Sequence, residues 1–158
     1  MTLGSDVEDL RYYVELKLEE MSEIVRELGD ERANLRPQLP GANSPYVILT
    51  HCLGVLEYWA GQVVAGRRIA RDRAAEFRAH GDVGALLDRV EAAKQQFRSD
   101  LTGIRLEAPL SDSPPDSYDL GRKTNGRVLM HVLEELAQHL GQMEITRDLL
   151  NRDGGSVA

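Results

Sequence analysis

Apolar residues recur every three or four positions along four stretches of the chain, separated by segments rich in proline, glycine or charge. Four amphipathic helices are predicted from this pattern. The first runs from Ser5 to about Leu28 and carries Val7, Leu10, Val14, Met21, Ile24 and Leu28 on one face. Ser5 and Asp6 are placed to cap it, with Glu8 completing a capping box, and Gly29 offers a stop. A loop broken by Pro37, Pro40 and Gly41 follows. Asn43 or Ser44 then caps a second helix, with Pro45 in its first turn, that reaches Ala65 just before Gly66. Its buried face consists of Ile48, Leu56, Trp59 and Val63, joined by Cys52 and Val55.

Residues 67–81 form a charged connection with room for a short helix. The third helix spans Asp82 to about Ile104 and buries Val83, Leu87, Val90, Phe97, Leu101 and Ile104. Some twenty residues containing Pro109, Pro114 and Pro115 come next, long for a structureless connection and therefore a candidate for function. The fourth helix, Asn125 to Leu150, carries Leu129, Leu133, Leu136, Leu140 and Met143. No convincing strand pattern or internal repeat is present. The fold class is all-α, a four-helix bundle, with residues 1–151 as one domain and 152–158 as a flexible tail.

Composition narrows the function. The 158-residue chain has a formal net charge of −7, which argues against a basic nucleic-acid surface. Aromatic residues make up 5%, too few for base-stacking platforms. No apolar run reads as long enough to span a bilayer, and the acidic N-terminus, MTLGSDVEDL, does not read as a signal peptide. The single cysteine, Cys52, excludes an internal disulfide and fits a reduced, cytoplasmic setting. On a buried face it reads as a small core residue rather than a nucleophile.

Candidate chemistry gathers on the fourth helix. Glu135 and His139, four residues apart, lie roughly 40° apart around the axis and about 6 Å along it, so they can share one metal ion. His139 sits about 70° from the centre of the apolar stripe and His131 about 150° away, which turns His131 outward. His131 and His139 are also about 12 Å apart along the axis, too far to share an ion. On the second helix His51 falls about 110° from the centre of its apolar face, on the flank, and is the remaining candidate ligand. His80, beside Gly81 in a loop, reads as solvated. Tyr58, two turns beyond His51, is a candidate pocket residue, and the basic pair Arg122 and Lys123, ordinarily just solvated, is a candidate contact for an anionic small molecule.

The segments ERANLRP and PGANSP before the second helix, THCLGVLEYWAGQVVAG within it, and HVLEELAQHLGQMEITRDLL at the end resemble the DinB-like superfamily of metalloenzymes. The likeness covers nearly the whole chain. It points to the actinobacterial branch that includes mycothiol S-transferases and the N-terminal domain of mycothiol-dependent maleylpyruvate isomerase. That resemblance implies an up-down-down-up bundle, with residues 67–81 as the long crossover. It implies a divalent metal held by His51, Glu135 and His139, the branch having glutamate where many superfamily members have histidine. Zinc suits these ligands best, and nickel, iron or manganese fit the same set. The activity implied is transfer of a low-molecular-weight thiol, mycothiol in this branch, to an electrophile. Isomerisation is a weaker expectation, because the likeness to the isomerase stops at its first domain. A non-catalytic metal-binding dimerisation module is the alternative from another class; superfamily members are often homodimers, and an outward His131 would suit such an interface.

Overall fold

The computed structural model describes residues 3–114, 121 and 123–153. Helix α1 spans Leu3–Ala33, α2 spans Pro45–Leu56, α3 Arg73–Glu76, α4 Val83–Asp100 and α5 Asn125–Asp153. A π-helical stretch, Glu57–Val64, continues α2. Among the described residues no strand forms; an isolated bridge joins Pro109 to Thr124. The described residues are thus mostly helical, consistent with an all-α fold, with the four predicted long helices in their expected order.

α1 begins ahead of Ser5, so Ser5 and Asp6 lie inside its first turns rather than at a cap. Leu10, Val14, Leu18, Met21, Val25 and Leu28 are buried along its length. Each such side chain taken fully out of water contributes about 1.5–3 kcal/mol. Gly29 interrupts the helix with φ 66°, a left-handed conformation that glycine adopts without strain. The turn beyond it fastens the start of α4. Asp30 Oδ1 accepts from the Val83 amide at 2.7 Å, while Asn34 both donates to and accepts from the Gly81 backbone at 2.8 and 2.9 Å.

Ser44 is the cap of α2: its hydroxyl accepts from the Val47 amide, and Pro45 occupies the first helical position. Eleven of the twelve residues of α2 are buried, so this helix has no solvated face. The reason is that α1, α3, α4 and α5 all pack against it. By length and hydropathy Pro45–Val64 would qualify as a membrane span, which corrects the reading that no apolar run is long enough. With 83% of its apolar window buried inside the protein, it is a core helix.

The wider turns of the π stretch re-route backbone bonds at its end. The Ala65 amide reaches back to Ala60, and the carbonyls of Val63 and Val64 accept from Ser111 and Asp112 in the long connection after α4. The chain then turns at Gly66, and Arg67 folds back to make a two-pronged pair with Asp100 at 2.8 Å on each side. The crossover carries α3, which touches α2 and, among the described residues, no other helix. Before α5, the amides of Asn125 and Gly126 donate to Ala108 and Leu106, so residues 105–109 supply acceptors for the open end of that helix. α5 continues through Asp153, so residues 152 and 153, read as tail, belong to its last turn; residues 154–158 lie outside the described residues.

Candidate metal centre

α2 and α5 pack side by side, and their contact brings His51 from one to Glu135 and His139 from the other. One ligand atom of each of the three lies within 4.8 Å of the others. Glu135 Oε2 and His139 Nε2 are 3.7 Å apart, close to the roughly 3.4 Å edge of a tetrahedron with bonds near 2.1 Å. The donor set, two imidazole nitrogens and one carboxylate oxygen, fits a divalent cation and leaves further positions open. Burial is graded across it. His51 is 4% exposed, whereas the side chains of Glu135 and His139 are 29% and 26% exposed, so the site opens on the α5 side.

Each histidine is held through its other nitrogen. His139 Nδ1 lies 2.9 Å from Gln142 Oε1, and His51 Nδ1 lies 2.8 Å from Glu76 Oε2. With Nδ1 engaged, Nε2 is the atom each ring has left to present. Glu76 in turn accepts two bonds from the Arg71 guanidinium, at 2.7 and 3.0 Å. Burial pushes the His51 pKa below its usual value, and the nearby His139 adds to this; the opposing bond to Glu76 does not overcome it. His51 is therefore neutral at pH 7, as a ligand must be. For Glu76 burial acts upward, but Arg71 and His51 together hold the carboxyl below its ordinary value.

Two histidines are placed differently from the reading of the sequence. His51 is in the interior rather than on a flank, because α3 and Phe77 close over it, the Phe77 ring 5.0 Å from its own. His131 does not face outward: its ring packs edge-on against Trp59 at 5.1 Å and its side chain is 13% exposed. The stripe used to place it omitted Val128 and Val132, both fully buried, which shift the inner face of α5 toward His131. Neither change brings His131 into the group with His51, Glu135 and His139.

The remaining candidates separate cleanly. His80 is exposed, with Nδ1 3.2 Å from the Arg78 carbonyl oxygen. Cys52 is fully buried, and burial foremost, with Glu135 and Glu76 adding, drives its thiol pKa far upward, so it stays protonated. Tyr58 meets the Trp59 ring at 5.2 Å and lies under the Arg71 guanidinium at 5.7 Å, one residue removed from the Glu76 carboxylate. Lys123 is exposed ahead of α5. The ten helical steps from Asn125 to Glu135 put about 15 Å of α5 between that end and the site, so Lys123 is not beside it. Arg122 lies outside the described residues.

Glu76 and Arg71 escaped the reading of the sequence. They sit in the charged segment RRIARDRAAEFRAHG, where no periodicity marks a buried carboxylate. The one available signal was Gly54, a small residue one turn beyond His51 in an otherwise bulky helix.

Comparison with curated proteins gives no match to the sequence. Among protein families, the model described as Mycothiol-S-transferase matches residues 9–152. That span contains all three convergent side chains and the Arg71–Glu76 pair behind them, and the chain belongs to the mycothiol-S-transferase family.

Proposed function

We propose that the protein is a divalent-metal-dependent thiol S-transferase that joins mycothiol, or a closely related low-molecular-weight thiol, to an electrophile. The observation that carries this reading is the convergence of His51, Glu135 and His139 from two helices. Two neutral nitrogens and a single carboxylate with open positions describe a catalytic site rather than a closed structural one. Zinc is the metal assigned, with nickel, iron or manganese as substitutes on the same ligands. When bound, the cation supplies the Lewis acidity that keeps a thiol sulfur as thiolate near neutral pH.

The chain's own residues do the rest. His51, backed by Phe77 and Glu76, forms a water-poor floor, and Glu135 and His139 form a half-open rim through which a small thiol and its partner enter. The reaction breaks the thiol S–H bond and forms a carbon–sulfur bond as the electrophile's carbon gives up its leaving group, chloride for monochlorobimane; the thiol proton passes to solvent. Cys52, protonated and enclosed, takes no part. Tyr58, beside Arg71, lines the approach to the site. The order of the long helices and the length of the 67–81 crossover support an up-down-down-up four-helix bundle forming one domain through the end of α5. A cytoplasmic homodimer is part of the same proposal and rests on the family resemblance alone.

The test is conjugation of mycothiol to monochlorobimane by metal-loaded protein, read as the ratio of enzymic to spontaneous rate from pH 5.5 to 9. A free thiol ionises near pH 8.5, so the spontaneous rate climbs steeply over that range. The ratio is expected to peak near neutrality and to vanish in His139→Ala. A ratio of one throughout, with several thiols and electrophiles, would leave a non-catalytic metal-binding module as the better account.

A further inference from the structure

We propose that Glu76, delivered by the four-residue helix α3, is the positioning residue of this site: it fixes the His51 ring as the Nδ1–H tautomer and so assigns Nε2 to the metal. The proposal rests on the metal-centre reading above and adds to it a residue on a separate element.

Glu76 is the one buried residue of α3, and it is a carboxylate at 6% exposure. A carboxylate is costly to bury unless every acceptor position is used. Arg71 Nε donates to Oε1 at 2.7 Å and Arg71 Nη2 to Oε2 at 3.0 Å, the two-pronged geometry that sets the plane of the group. His51 Nδ1 meets Oε2 at 2.8 Å. A carboxylate paired in this way to a guanidinium only accepts, so the hydrogen between Glu76 and His51 is carried by Nδ1. Such an arrangement fixes both tautomer and ring orientation of a ligating histidine.

Gly54 provides an independent observation. A Cβ at that position would lie 2.1 Å from Glu76 Oε1 and 2.7 Å from its carboxyl carbon. A glycine inside a helix weakens it relative to alanine, yet here its missing side chain is the space the carboxylate occupies. The body of α2 is thus shaped to receive a group from the crossover. A pair that merely anchored the crossover would need no such recess and no contact with His51. α3 touches only α2 among the described helices, which makes this delivery its one packing role.

The experiment measures zinc binding by competition with a chromophoric chelator, and the His51 tautomer by ¹⁵N NMR on metal-free protein. Glu76→Gln keeps the size of the side chain. Its amide oxygen stays with Arg71 and its NH₂ turns to His51, which must then accept at Nδ1. The expected result is a 10–100-fold weaker zinc affinity, a His51 ring shifted to the Nε2–H form, and unchanged helical circular dichroism. Gly54→Ala leaves Glu76 and Arg71 in the sequence but pushes the carboxylate away, and should lose affinity similarly although alanine is the better helix former. Wild-type zinc affinity and tautomer in both variants would overturn the proposal. If the wild type itself bound no zinc, the metal-centre reading would fail, and the tautomer comparison would still decide the role of Glu76.

Discussion

The imidazole rings of His51 and His139 stand edge to face, centroids 4.9 Å apart with planes at 84°. The rings sit on different helices, each tethered at Nδ1, and one nitrogen of each lies within 4.8 Å of the other and of a Glu135 carboxylate oxygen. His51→Ala, Glu135→Ala and His139→Ala are each expected to lose stoichiometric metal, while His131→Ala keeps it and loses contacts such as its packing on Trp59. Metal content after gel filtration decides this. Metal lost from His131→Ala and retained by His139→Ala would place the site one register too far along α5.

Removing the metal should soften the protein without unfolding it. A ligand bound only by the native state stabilises by RT ln(1 + [L]/Kd), about 2.7 kcal/mol at a hundredfold excess over Kd. Excess chelator should therefore lower Tm by several degrees. The apolar interior runs from Leu10 on α1 to Leu150 on α5 and does not depend on the site. Loss of helical circular dichroism at 25 °C on chelation would show that the metal is structural.

Acid should destabilise the metal-free protein in two steps. In the unfolded chain His51 takes up a proton from about pH 6.5 downward, whereas burial keeps the folded residue neutral to lower pH. The unfolded state thus binds more protons, and stability falls as pH drops from 6.5 through the folded value. Glu76 and Glu15, both held below the ordinary carboxylate value in the fold, add a second loss that begins near pH 4.5 and proceeds downward. Urea midpoints between pH 7.5 and 4 would trace both. His51→Gln should lack the first step, and an identical profile in that variant would remove His51 from the explanation.

The helix that carries His51 should be the least tolerant of substitution. Leu53 is fully buried on α2 among neighbours from several elements. Leu53→Ala should cost about 2–5 kcal/mol, measured by urea unfolding. A change below about 1 kcal/mol would mean that the interior around α2 collapses easily onto the gap.

The four long helices, the cap Ser44 and the break at Gly29 were legible because each follows from local spacing and backbone preference, while Asp82, read as the start of the third helix, is its cap. Glu135 and His139 were legible for a similar reason, since one helix sets their separation. His51 was reached through family resemblance; its flank position misled because an angular argument assumes a helix with one solvated side, and α2 has none. Glu76 was hidden by its setting, a run of charge whose burial depends on where the crossover lands. The π stretch left no mark that periodicity could detect, since eight residues of wider turn differ little from the α pattern in their apolar spacing.

α1 is paired with α5, helices from opposite ends of the described chain. On the ribosome this imposes an order. About a hundred residues separate the apolar face of α1 from its partner, about 5–20 s of synthesis at 5–20 residues per second. Throughout that interval Met21 and Val25 have no α5 to cover them, and His51 waits without Glu135 or His139. The nascent protein is thus exposed to chaperones before it is competent for metal, and the ion can be captured only once the last helix has docked.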